Sequence, residues 1–165
     1  MRKPLWLILA ALVFLSSCDR TSTIPPRLVI NEVMARNESF VDFETNGLPL
    51  DWVEIYNPND KALRLEGYTL SDNIERSGKY RFPPNLTLEP GGFALVTLVG
   101  GNDLAAAQAA REEQGSVEVV LTALHADFGL NAARDSIFLF ANGRQFDRVG
   151  VRNFSADSSV GRFPD

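Results

Sequence analysis

Apolar residues in this chain come in short runs, and each run is cut by Gly, Pro, Asn or Asp. Leu28–Met34 is the first such run after Arg27. Trp52–Asn57 follows and stops at Pro58. Leu63–Leu65 and Tyr68–Ser71 are split by Gly67, and Tyr80–Phe82 halts at Pro83-Pro84. Phe93–Val99 comes after Pro90-Gly91-Gly92, and Val117–Leu121 is a further candidate. Ser136–Ala141 and Gln145–Val151 flank Asn142-Gly143. Such runs are too short for amphipathic helices and are rich in β-branched and aromatic residues, so they read as strands. Asn142-Gly143 is a hairpin signal, because a two-residue loop needs positive φ at both central positions. Roughly seven to nine strands without alternating helices predict an all-β sandwich or barrel. One segment departs from this pattern. Asp103–Gln114 carries five alanines with Leu, Arg and two Glu, and Gly115 closes it. It reads as a short inserted helix, about residues 103–114, capped by Asn102 or Asp103.

Composition narrows the chemistry. The 165 residues are 45% hydrophobic and 22% charged, which suits one globular domain. Sixteen basic against twenty-one acidic residues give a formal −5. That balance argues against nucleic acid as a partner, since such a grip needs clustered cations on phosphates. One Cys excludes an internal disulfide and a multi-thiolate zinc site, and one His excludes most histidine metal centres.

The first residues set the expected location. Arg2 and Lys3 precede an apolar run of eleven residues, Leu5–Leu15. A spanning helix needs about 20, so residues 1–17 read as a signal peptide. Leu15-Ser16-Ser17-Cys18 resembles the bacterial lipoprotein box, which implies a lipidated Cys18. Two or more acyl chains anchor stably where one does not. Loss of residues 1–17 leaves fourteen basic against twenty-one acidic residues, a formal −7. Anionic headgroups repel that charge, so lipid must hold the chain at the membrane. Residues 18–27, ending in Pro25-Pro26-Arg27, form the lipidated cysteine and a tether. The expected place is the extracytoplasmic side of a bacterial envelope membrane.

Seven pieces of the remaining chain, residues 28–165, then fall in a known order. They are Leu28-Val-Ile-Asn-Glu-Val-Met-Ala35, Asp51-Trp-Val-Glu-Ile-Tyr-Asn-Pro58, Leu65-Glu-Gly-Tyr-Thr-Leu-Ser-Asp72, Phe82-Pro83, Leu88-Glu-Pro-Gly-Gly-Phe93, Leu124-His-Ala-Asp-Phe-Gly-Leu130 and Ser159-Val-Gly-Arg-Phe-Pro-Asp165. This order resembles the lamin tail domain. The resemblance implies an immunoglobulin-like β-sandwich that works as a non-catalytic interaction or tethering module. Its partner would be an unidentified envelope or surface protein.

Other chemistries have candidate residues. His125 with Asp127 could serve a hydrolase, the different-class alternative, but no Gly-x-Ser-x-Gly elbow accompanies them. Glu32, Asp51 and Glu54 could supply paired carboxylates for glycoside hydrolysis. Asp42, Glu44 and Asn46, with Gly47 and the later Asp51, resemble the first half of a calcium loop. Val53 stands where that loop would need a bidentate Glu, so calcium is the cofactor these residues suggest, through an incomplete loop. Arg144, Arg148, Arg152 and Arg162 suggest a basic edge, diluted by Asp147, Asp157 and Asp165.

Overall fold

The computed structural model describes residues 27–40, 49–100 and 124–162. Eleven strands run through these residues: β1 (Val29–Met34), β2 (Asp51–Tyr56), β3 (Leu63–Arg64), β4 (Tyr68–Ser71), β5 (Tyr80–Arg81), β6 (Thr87–Leu88), β7 (Phe93–Leu98), β8 (His125–Ala126), β9 (Arg134–Ala141), β10 (Arg144–Arg152) and β11 (Ser159–Gly161). The expected helix near 103–114 and the expected strand Val117–Leu121 lie outside the described residues.

Alternation along each strand decides the layers. In β2, Val53 and Ile55 are wholly buried while Trp52, Glu54 and Tyr56 stay partly exposed. β1 and β7 flank β2, both antiparallel to it. β11 closes one edge of this sheet and β8, parallel to β7, closes the other, in the order β11-β1-β2-β7-β8. The second sheet runs β10-β9-β4-β5, and β3 pairs with β6 as a separate ribbon. Ile30, Val33, Val53, Ile55 and Val96 of the first sheet share one core with Leu70, Ile137, Leu139 and Val151 of the second. Truncating one of these wholly buried branched side chains to Ala costs about 2–5 kcal/mol.

Two β-bulges reconcile the sequence with this layering. In β1 the register shifts between Ile30 and Glu32. The extra residue lets both Ile30 and Val33 face the core while Glu32 pairs with Glu54 on the outer face. In β10 the shift falls between Gln145 and Asp147. An unbulged register would put Arg148 opposite core-facing Ile137. The bulge instead places Arg148 opposite Phe138 and leaves Val149 and Val151 inside.

The β9–β10 turn has the predicted geometry, with φ of 50° at Asn142 and 78° at Gly143. Asn142 N–H donates to Gly67 O at 3.0 Å. Gly67 sits at φ 85°, and a Cβ there would lie 2.8 Å from Asn142 Oδ1, so only glycine fits this approach. Strand β9 is central, and Ile137 through Phe140 are all buried, as its bulk on both faces predicts. Strands β6, β8 and β11 were not foreseen, because two or three residues cannot show a period.

Candidate functional site

A groove of about 340 Å³ lies on the outer face of the second sheet. Its walls come from β9, β10 and Asp72–Ile74, the start of the segment 72–79 that leaves β4. Strand pairing builds the groove row by row. Arg134 faces Arg152, Ser136 faces Gly150, and Phe138 faces Arg148. Gly150 has no side chain, and a Cβ added there would meet nothing within 4 Å, so the middle row stays open. Segment 72–79 folds back over the same face. The Thr69 hydroxyl donates to Ser77 O, and Asp72 pairs with Lys79 at 2.8 Å. The fold-back brings Ile74, which is 54% exposed, to the rim.

Charge in the groove is uneven. Two carboxylates line it, and both are engaged. Asp72 holds Lys79. Asp135 accepts the Ser136 N–H at 2.8 Å and the Asn131 N–H at 3.0 Å. Arg148 is held in place on the floor. It donates to Ser136 Oγ from Nε and Nη2, at 3.2 and 2.9 Å, and its guanidinium lies 5.5 Å from the Phe138 ring centroid. Among the described residues, the guanidinium groups of Arg134 and Arg152 make no hydrogen bond or ion pair, though they sit directly opposite each other. Guanidinium forks match planar anions, and the cavity offers three of them.

A second polar centre is structural. Asn57 directly follows β2 and is fully buried. Its Nδ2 donates toward Lys61 O, Leu88 O and Glu89 O at 2.9–3.0 Å. Its Oδ1 accepts from Asn59, and its peptide exchanges bonds with the Gly91–Gly92 turn. The Tyr-Asn-Pro and Pro-Gly-Gly pieces of the sequence are thus the two halves of one clasp.

The family model of the Lamin Tail Domain matches residues 21–153. The chain belongs to the lamin tail domain family. No curated protein matches it. Lamin tail domains are immunoglobulin-like, and the two packed sheets here accord with that fold. Domains of this kind often serve as protein-interaction modules.

Within this lamin tail domain Glu32, Asp51, Glu54 and His125 lie on the first sheet, away from the groove. His125 is on β8, an edge of the first sheet, and does not line the groove on the second. Glu32 and Glu54 do meet, as a cross-strand pair on the outer face of the first sheet. Each is engaged locally. Glu32 accepts from the Ser159 hydroxyl, and Glu54 accepts from Asn31 Nδ2 at 2.8 Å. Asp51, at the start of β2, accepts the Asn37 N–H at 2.9 Å. Of the calcium candidates, Asp42, Glu44 and Asn46 lie outside the described residues, as does Cys18. Among the expected basic residues, Arg162 is consumed by Asp147. Arg148 and Arg152 do come together, joined by Arg134, which sequence reading missed. The signal was present in the apolar alternation of β9 and β10, but it needed the β10 bulge to be read correctly.

Proposed function

We propose that this protein is a non-catalytic interaction module, moored by lipid on Cys18 in a bacterial cell envelope, that binds another envelope or surface protein. One observation carries the reading: the family match begins at residue 21, directly behind the lipoprotein box that ends at Cys18. A short tether then separates the acyl chains from the sandwich, which leaves the sheet faces and edges free to dock. Glu32, Asp51 and Glu54 are each engaged by a local donor and His125 sits apart from them on β8, which supports binding over hydrolysis, because a hydrolase must converge its acid and base on one point.

Metabolic labelling of the full chain with an alkyne-bearing fatty acid tests the anchor. Label on the wild type and none on Cys18→Ser is the expected result. Equal labelling of both would overturn lipidation at this residue. Photo-cross-linking in cells, from probes on the β5 and β10 edges, tests the binding role. Cross-links to a second protein are expected, and they should survive His125→Ala.

A further inference from the structure

Arg134 and Arg152 occupy directly opposed positions on adjacent strands. Like charges so placed repel, and the surroundings do not relieve them. The carboxylates that line the groove, Asp72 and Asp135, are already committed to Lys79 and to backbone N–H groups. At the other end of the groove Arg148 is pre-oriented by Ser136 and Phe138. Four residues of extended strand separate Arg148 from Arg152, roughly 13 Å of backbone. The cavity is therefore a narrow trough, cationic at both ends, with an open glycine row between and an exposed Ile74 on its rim.

From this arrangement we infer that the groove binds an extended acidic segment of a partner protein. Its carboxylates are held by Arg134, Arg148 and Arg152, and an apolar side chain lies against Ile74. The occupant is a peptide and not a nucleic acid, because the volume, about 340 Å³, accepts a few side chains rather than a duplex. It is a peptide and not a lipid surface, because the three guanidinium groups line a recess shared with Ile74 and Gly150 rather than a flat patch. Strand β10 ends its sheet, so the trough is reached from the side as well as from above. This inference rests on the binding role proposed above and names its docking site.

The test uses the full chain in neutral detergent and a short rhodamine-labelled peptide that alternates Asp or Glu with Leu. Its counterpart has Asn and Gln in place of the acids. Fluorescence anisotropy is expected to show binding of the acidic peptide alone, weakening as salt rises. Arg134→Gln with Arg152→Gln should weaken it at least about tenfold, since two charge-assisted pairs are lost. Gly150→Leu, which keeps every charge but fills the middle row, should weaken it as well. Without peptide, Arg134→Gln should raise Tm by about 1–2 °C, because it removes an opposed like charge. Equal binding of the amide peptide, unchanged binding in the double variant, or a fall in Tm on Arg134→Gln would each overturn the inference. Tighter binding to phosphatidylglycerol vesicles, lost in the same double variant, would replace the peptide with a membrane. If the peptide fails while the in-cell cross-links persist, the groove assignment falls and the interaction role stands.

Discussion

Asp147 grips Arg162 through both carboxylate oxygens, at 2.8 and 2.7 Å, and the pair holds the backbone N–H and C=O of a single residue, Ile30 of the first sheet. The Ile30 N–H donates to Asp147 Oδ2 at 2.9 Å, and Ile30 O accepts from Arg162 Nε at 2.8 Å. Ile30 stands at the β1 bulge and Asp147 at the β10 bulge. The backbone groups that bulges leave without ladder partners are here satisfied by a side-chain ion pair. The contact staples β1 of the first sheet to β10, the edge strand of the second.

Breaking that staple should be costly. Asp147 has a side chain only 11% exposed, so its removal strands both the Arg162 guanidinium and the Ile30 N–H. Asp147→Ala is expected to lose about 2–3 kcal/mol, read from urea denaturation. Asp147→Asn keeps an acceptor for Ile30 and should lose about half as much. A loss under about 0.5 kcal/mol in the Ala variant would show that the pair behaves as an ordinary surface bridge.

Asn57 offers a sharper chemical substitution. Its amide donates toward three carbonyl oxygens in a fully buried site. Asn57→Asp sets a carboxylate against those oxygens and should cost at least about 3 kcal/mol at pH 7. Burial among acceptors raises the new carboxyl's pKa, so the cost should shrink near pH 4, where the acid can donate. Thermal melts at both pH values measure this. An equal deficit at the two would contradict the donor role.

Asp157 should set part of the acid limb of stability. The Ser39 hydroxyl, then the Glu38 and Ser39 backbone N–H groups, hold its carboxyl below the ordinary carboxylate range. A lowered folded pKa means a contribution that is whole above the unfolded value, about 3.9, and is lost as pH falls through the folded one. Asp157→Asn also tolerates the positive φ of 55° at this position. The stability gap between wild type and variant should therefore close as pH drops from 5 to 2. A gap constant across that range would assign the effect elsewhere.

Tyr80 reports on burial from the alkaline side. Its hydroxyl is buried without a hydrogen-bond partner, and desolvation pushes its pKa up to about 12. The unfolded phenol ionises near 10, so stability should fall as pH rises from about 10 to 12. Tyr80→Phe removes both the orphan hydroxyl and this alkaline loss. It should be neutral or stabilising by up to about 1 kcal/mol at pH 7. Ultraviolet titration of tyrosinate, compared with the Phe variant, identifies the late-ionising group.

Much of the sandwich could be read before any coordinates. Val53 with Ile55, the Asn142-Gly143 turn and the two-sided bulk of Ile137–Phe140 all behaved as local rules require. β6 shows the limit, because its two residues are strand only through pairing with Leu63–Arg64. The groove was half legible. Arg148 and Arg152 belonged to the basic edge expected from Arg144, Arg148, Arg152 and Arg162, but Arg134 did not, since nothing local announces that it will face Arg152.

From its own order of residues, this chain determined which side of each strand is greasy and where the backbone must turn. Those properties depend on a residue and its immediate neighbours. Tertiary structure alone decided that Arg134 opposes Arg152 and that Asp147 reaches both Ile30 and Arg162. Such pairings depend on strand register and on the approach of two sheets. A single bulged residue reverses which face a side chain occupies, and no local preference encodes its effect at a distance.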